Sequence, residues 1–180
     1  MRIARRAMRP VTILIASLGA IVALLPLAVL LPGPARSWSV FGPADLGPVD
    51  FARLERRSSP NDALTRPDVL PGAARAEIAA TVFAVDARAL RDTMARALAE
   101  ERDLARVAVN PVAGTERHVQ RTPRLGFPDA IDVLYVDLPG GRSTRALYSR
   151  SQIGYRDLGA NRARIERWLA HLTRVAPVAP

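Results

Sequence analysis

Ser149–Ile165, SRSQIGYRDLGANRARI, gathers four arginines, two serines and two glycines into seventeen residues. A guanidinium is a planar fork of donors matched to carboxylate or phosphate. Ser149 and Ser151 are two apart and share one strand face. Asp157 reads as the N-cap of a helix over 158–173. The free N–H groups and dipole at such a helix start favour an anion. Gly154 and Gly159 let backbone approach a ligand or another strand closely. Arg150 and Arg162, with Ser149, Ser151 and Asn161, therefore spell an anion pocket, which Arg121 joins if its strand pairs nearby. The same residues also spell an internal arrangement, in which Asp157 caps the helix, an arginine pairs with it and the glycines serve the turn. Buried arginine–aspartate pairs are common glue of small net worth. The sequence leaves both readings open.

Other chemistry finds less support. His118 and His171 are the only histidines, and neither has a carboxylate or second histidine at ligand spacing, so no metal site is expected. Ser149, His118 and Asp157 supply the letters of a triad, as any chain of this size does, and no catalytic residue is assigned. There is no GxGxxG and no P-loop, and no cofactor is expected. Asp129 and Asp132 read as solvated or capping residues rather than an acid–base pair. Tyr135, Tyr148 and Trp168 read as core or sheet-face aromatics rather than base-stacking platforms. With no cysteine there is no disulfide and no thiol chemistry.

The elements that must position these residues follow from periodicity. ATVFAV (80–85) is a short β-rich run. Asp86 caps a helix over 87–101 in which Leu90, Met94, Ala97 and Leu98 recur at helical spacing. LARVAV (104–109) alternates and stops at Asn110-Pro111, and ERHVQRT (116–122) alternates without a clear apolar face, as an edge strand or groove wall would. AIDVLYVDL (130–138) ends at Pro139-Gly140-Gly141, a hairpin signal, and STRALYSRSQI (143–153) returns. Ile165, Trp168, Leu169 and Leu172 close the chain with an amphipathic helix. The order β-α-β-β-β-β-α predicts an α+β domain over 76–174, with an antiparallel sheet and two helices on one face.

FPDAIDV (127–133), SRSQIG (149–154) and DLGANRARI (157–165), in that order and spacing, resemble the signature of the domain of unknown function 1499 family, found in bacteria and photosynthetic eukaryotes. SSPN (58–61) resembles the Ser-Pro-Asn element that often opens its members, so the resemblance covers roughly residues 58–172. It implies a domain boundary and no catalytic residues. Many members carry a cysteine after Ser-Pro-Asn; here Asp62 follows, which removes any thiol or lipid-anchor role at that point.

The amino-terminal third reads differently. Residues 1–10 form a basic tail with four arginines, and 11–31 is a 21-residue run without charge, long enough for a transmembrane helix. A cleaved signal peptide competes through Gly33-Pro34-Ala35, although its apolar region is usually about 7–15 residues. Four arginines before the span and Arg36 behind it put the N-terminus in the cytoplasm of a single-pass protein of the bacterial inner membrane, with the later domain periplasmic or extracellular. Seven prolines make 32–75 an extended stalk, with Trp38, Val40 and Phe41 at the membrane–water interface, and 175–180 a disordered tail. The formal charge of +9 rests on arginine alone, 26 with no lysine, which resembles coding bias more than a nucleic-acid surface. The expectation is a membrane-tethered, non-enzymatic module for an anionic envelope ligand, lipid headgroup or protein partner. The alternative is an enzyme holding a carboxylate or phosphate substrate in an arginine-lined groove.

Overall fold

The computed structural model describes residues 38–179 together with Ile15, Ser17, Gly19, Ala20 and Leu24. Its elements are β1 (Asp62–Thr65), α1 (Ala87–Ala97), β2 (Leu104–Asn110), β3 (Thr115–Arg121), β4 (Pro128–Leu138), β5 (Arg142–Ser151) and α2 (Ala160–Val175). The sheet is antiparallel throughout, in the order β1-β5-β4-β3-β2. Strands β2 to β5 are a meander of neighbours in sequence. Gly140 and Gly141, both left-handed, close the β4–β5 hairpin. Strand β1 comes from far upstream to pair with the last strand.

Both helices pack on one face. Leu90, Met94 and Leu98 from the α1 side meet Ile165, Trp168 and Leu172 of α2 over Ile131, Val133, Tyr135 and Leu147 of the sheet. Asp86 starts α1 as its sequence demands, its Oδ1 accepting the Ala89 N–H at 2.7 Å. Asp137 of β4 takes the Ala87 N–H at 2.7 Å, which fixes the helix start to the sheet.

The first strand is not ATVFAV. That run forms only isolated bridges, from Phe83 to Ser143 and to Val178. The pairing strand is DALT, four residues held between Pro60 and Pro67 inside the segment expected as a stalk. Proline prevents a helix there but permits extended chain, and the chain uses that freedom to cover the other side of the sheet. Phe51, Leu64, Ala146 and Tyr148 form a second buried cluster, with Val49, Leu54, Leu70 and Leu134 against it. The covering segment doubles back tightly at Gly72, where a Cβ would stand 2.5 Å from the Ala52 carbonyl oxygen. The sheet is thus clad by helices in front and by proline-rich chain behind.

Two further expectations need correction. Among the described residues no helix is long and apolar enough to cross a membrane, so the N-terminal transmembrane helix is not supported. Ile15, Ser17, Gly19, Ala20 and Leu24 are helical; the rest of 11–31 and the basic tail lie outside the described residues. An uncharged run fixes composition and not helix continuity. The Trp38 ring lies 4.4 Å from that of Phe127, and its indole N–H donates to the Leu125 carbonyl at 2.5 Å, while Val40 and Phe41 are exposed. Residues expected as a disordered tail are tied down as well. Ala179 N–H donates to the Val82 carbonyl and Ala84 N–H to the Pro177 carbonyl, because the chain leaves α2 beside the outer edge of 82–84, whose other edge pairs Phe83 with Ser143.

Candidate functional site

Side-chain alternation sends Ser149 and Ser151 of β5, Asp129 of β4 and Gln120 of β3 towards α2. The helix answers with Asn161 and Arg164, three apart on one face. Arg164 donates from Nη2 to Asp129 at 2.5 Å, from Nε to Gln120 at 2.6 Å, and from Nη1 to Ser149 and to Asn161 at 2.8 Å each. Ser149 Oγ donates to Asn161 Oδ1 at 2.6 Å. The Asn161 amide nitrogen lies within donating distance of Ser151 Oγ, the Asn61 carbonyl and Asp157. Asn61 in turn donates to the Gly154 carbonyl at 2.6 Å and accepts from Ser59. Asn161 and Ser149 are wholly buried, and Asp129 and Arg164 nearly so. Such a network is stable only because each member is satisfied. SSPN, FPDAIDV, SRSQIG and DLGANRARI each contribute to it.

The residues expected to form one anion pocket are therefore divided. Ser149, Ser151, Asn161 and Asp157 come together. Arg150 points to the opposite sheet face, where it donates to the Gly47 carbonyl at 2.8 Å, lies 3.3 Å from Asp132 and stacks on Tyr148. One residue's displacement along a strand exchanges faces. Arg162 is on the outer side of α2, paired with Glu166 one turn on at 2.8 Å. Arg121 donates to the Gly126 carbonyl at the end of β3. Asp157 does serve the helix start, accepting Gly159 and Asn161 N–H, but the capping position itself is Gly159, at φ 83°. Arg164 was hidden by its charge. Its spacing gives it away, because 161, 164, 165, 168 and 172 form one helical stripe.

A second polar group lies further along the same face, and it is not satisfied. Glu116, His118, Tyr135 and Arg145 are all buried. Strand β3 is thus no edge; its helix-facing side is polar yet covered. Tyr135 Oη donates to Glu116 Oε2 at 3.4 Å, and His118 Nε2 stands 3.4 Å from the same oxygen. His118 Nδ1 has no partner. Arg145 is 1 % exposed, and none of its three guanidinium nitrogens makes a hydrogen bond. No carboxylate among the described residues lies within 4.0 Å of it. Its neighbour is the Phe83 ring, 5.4 Å away. Burial pulls the Arg145 guanidinium down to about 10, opposed by Tyr135, so it stays charged at neutral pH. Tyr135, its register partner on β4, is pushed up by burial and by Glu116. Tyr135 also walls a cavity of about 520 Å³ at the start of α1, bordered by Arg88, Arg91 and Asp137.

Asp132 lies on the back face, the sheet separating it from Asp129 on the front, and both are buried rather than solvated. Arg117, the register partner of Asp132, instead grips Asp45 of the covering segment at 2.6 Å. Tyr148 Oη donates to Asp62 at 2.6 Å, and Arg56 bridges Asp62 and Glu77. Among the described residues no cluster of His, Cys, Asp or Glu is arranged to hold a metal ion.

The comparisons agree with the motifs. A family model described as Protein of unknown function (DUF1499) matches residues 48–172. No curated protein and no solved structure matches the chain. The matched stretch runs from the covering segment, through the whole sheet, to the buried end of α2, and it contains the Asn61–Asn161–Arg164 network entire. On that match the chain belongs to the DUF1499 family of proteins of unknown function.

Proposed function

We propose that the domain is a non-enzymatic module that binds an anionic ligand, at the start of α1 rather than in the signature motif. The observation that carries this is Arg145, a charge enclosed in the core with no counter-charge and no acceptor. An unpaired buried charge is costly unless something compensates it. An anion in the cavity walled by Tyr135 would meet Arg88 and Arg91 at the rim, and Arg145, the register partner of Tyr135 and not itself a lining residue, would add its charge from behind that wall. The signature network supports the reading by contrast: all three nitrogens of its arginine already have carboxylate, amide or hydroxyl partners.

The test is a melt of the full chain with phosphate or sulfate at millimolar concentration, below the range where sulfate acts by surface exclusion. Binding at 100 times Kd adds about 2.7 kcal/mol to stability. The parent should melt higher with anion. Arg145→Met should melt at or above the parent without anion, because an apolar isostere relieves the buried charge, and should lose the anion response. Melting temperatures unmoved by anion, or a destabilised variant that keeps the response, would overturn the proposal.

A further inference from the structure

The back face holds a second cavity, smaller and more enclosed, of about 220 Å³ between the covering segment and strands β2 to β4. Pro48, Val49 and Phe51 form its roof, Val109 lies at its edge, and Asp132 stands in its floor. The Asp132 side chain is 5 % exposed, and its Oδ2 makes no hydrogen bond. Arg150 comes to 3.3 Å from that oxygen, yet its Nη2 donates to the Gly47 carbonyl instead, and Arg117 is committed to Asp45. Arg117 is thus spent on holding the roof, and Arg150 divides its charge between the roof carbonyl and the carboxylate.

We infer that this cavity binds a small, neutral, largely apolar molecule that presents one hydrogen-bond donor to Asp132. Pro48, Val49, Phe51, Ala108, Val109 and Val133 make the larger part of the lining, and of its polar members Asn110, Thr115, Glu116, Arg117 and Asp132 only Asp132 keeps a buried oxygen without a hydrogen bond. Apolar walls with a few polar groups are the usual make-up of a small-molecule site. The carboxylate repels an anionic ligand, and Arg117 and Arg150 on either side disfavour a cation. A neutral O–H or N–H meets the open oxygen without adding charge. Burial pushes the Asp132 carboxyl up to about 6, against Arg150, the Val49 N–H and Arg117, which is what a carboxylate short of donors does. The bulge in β2, where register shifts between Arg106 and Ala108, aims Ala108 into the cavity and leaves Val109 half out at its mouth. Entry then requires only that the roof lift at the Asp45–Arg117 pair. This site lies on the opposite side of the sheet from the Arg145 cavity and stands whether or not that one binds.

The full chain is titrated at pH 7.5 with benzyl alcohol, toluene, benzoate and benzylamine, followed by saturation-transfer NMR of the probes. Benzyl alcohol should bind saturably, toluene at least about tenfold more weakly for want of the donor, and the two ions not at all. Asp132→Leu should abolish the preference of alcohol over toluene. Ala108→Phe, which fills the cavity from β2 and leaves Asp132 intact, should abolish binding of both. Absent alcohol binding, an alcohol–toluene ratio unchanged in Asp132→Leu, or binding undiminished in Ala108→Phe would each overturn the inference. If Asp132→Leu does not fold, Ala108→Phe decides.

Discussion

Arg162 and Arg164 are two residues apart in α2, and their neighbours make them physically unlike. Arg162 is half exposed and shares a solvated i,i+4 pair with Glu166, an interaction worth about 0.3–0.5 kcal/mol. Arg164 holds a buried carboxylate, an amide, a hydroxyl and an asparagine at once. Arg164→Met leaves Asp129 buried without its counter-ion, which destabilises by roughly 3–5 kcal/mol, while Arg162→Met changes stability by under about 0.5 kcal/mol. Urea unfolding of the two variants side by side measures this; equal losses would contradict the network. Asp132 supplies a pH prediction. Its folded carboxyl titrates near 6 against an ordinary 3.8, so the folded state binds the proton more tightly than the unfolded one. Stability from this group is therefore lost as pH rises through that window, by on the order of 3 kcal/mol. Asp132→Asn, which imitates the protonated form, should gain on the parent between pH 4 and pH 7. A difference in unfolding free energy that stays flat with pH would show the carboxyl to be unperturbed.

At the scale of elements, the covering segment makes the sharpest claim. If residues 43–61 were only a spacer, Phe51 could be trimmed freely. Its ring is 4 % exposed against Leu64 and Tyr148, so Phe51→Ala should destabilise by about 3–5 kcal/mol, read from the denaturant midpoint. What the sequence made legible were the elements with a clear period: α1 with its Asp86 cap, strands β2, β4 and β5, the Gly140-Gly141 turn, and α2. Strand β1 was not legible because four residues between two prolines are too few to display alternation. Strand β3 was misjudged as an edge because Glu116, His118 and Gln120 are polar, and a periodicity that counts apolar residues cannot see a buried polar face. The candidate site failed in the same way. Ser149, Ser151, Asn161 and Asp157 are legible from their types, but residue type alone fixes neither the phase of the strand nor that of the helix, and so does not separate Arg150 and Arg162 from Arg164. Phase alone sends Arg150 behind the sheet, Arg162 to solvent and Arg164 inward. Arg145, in the middle of a readable strand, gave no sign of being unpaired, since the absence of a partner is a property of the fold.

For the whole molecule, α2 is the piece on which both the front core and the signature network depend. A chain ending at Gly159 loses Ile165, Trp168 and Leu172, each fully or almost fully buried, together with Asn161 and Arg164. At roughly 2–5 kcal/mol for each large apolar side chain, the loss matches the 5–15 kcal/mol that usually holds a domain. Calorimetry of the truncated chain should show no cooperative transition. The pairing of β1 with β5 carries a different consequence, one of time. Strands β2 to β5 can zip together as each leaves the ribosome, since every one meets the strand before it. Strand β1 is made first and must wait for the last. The Asn161 amide reaches the Asn61 carbonyl across 100 residues of chain, so the two ends of the domain lock only after almost all of it has been synthesised. Contacts that distant close slowly, and until they do Leu64 and Phe51 stay uncovered on the nascent chain. Birth order sets this protein's interval of greatest exposure to aggregation and to chaperones.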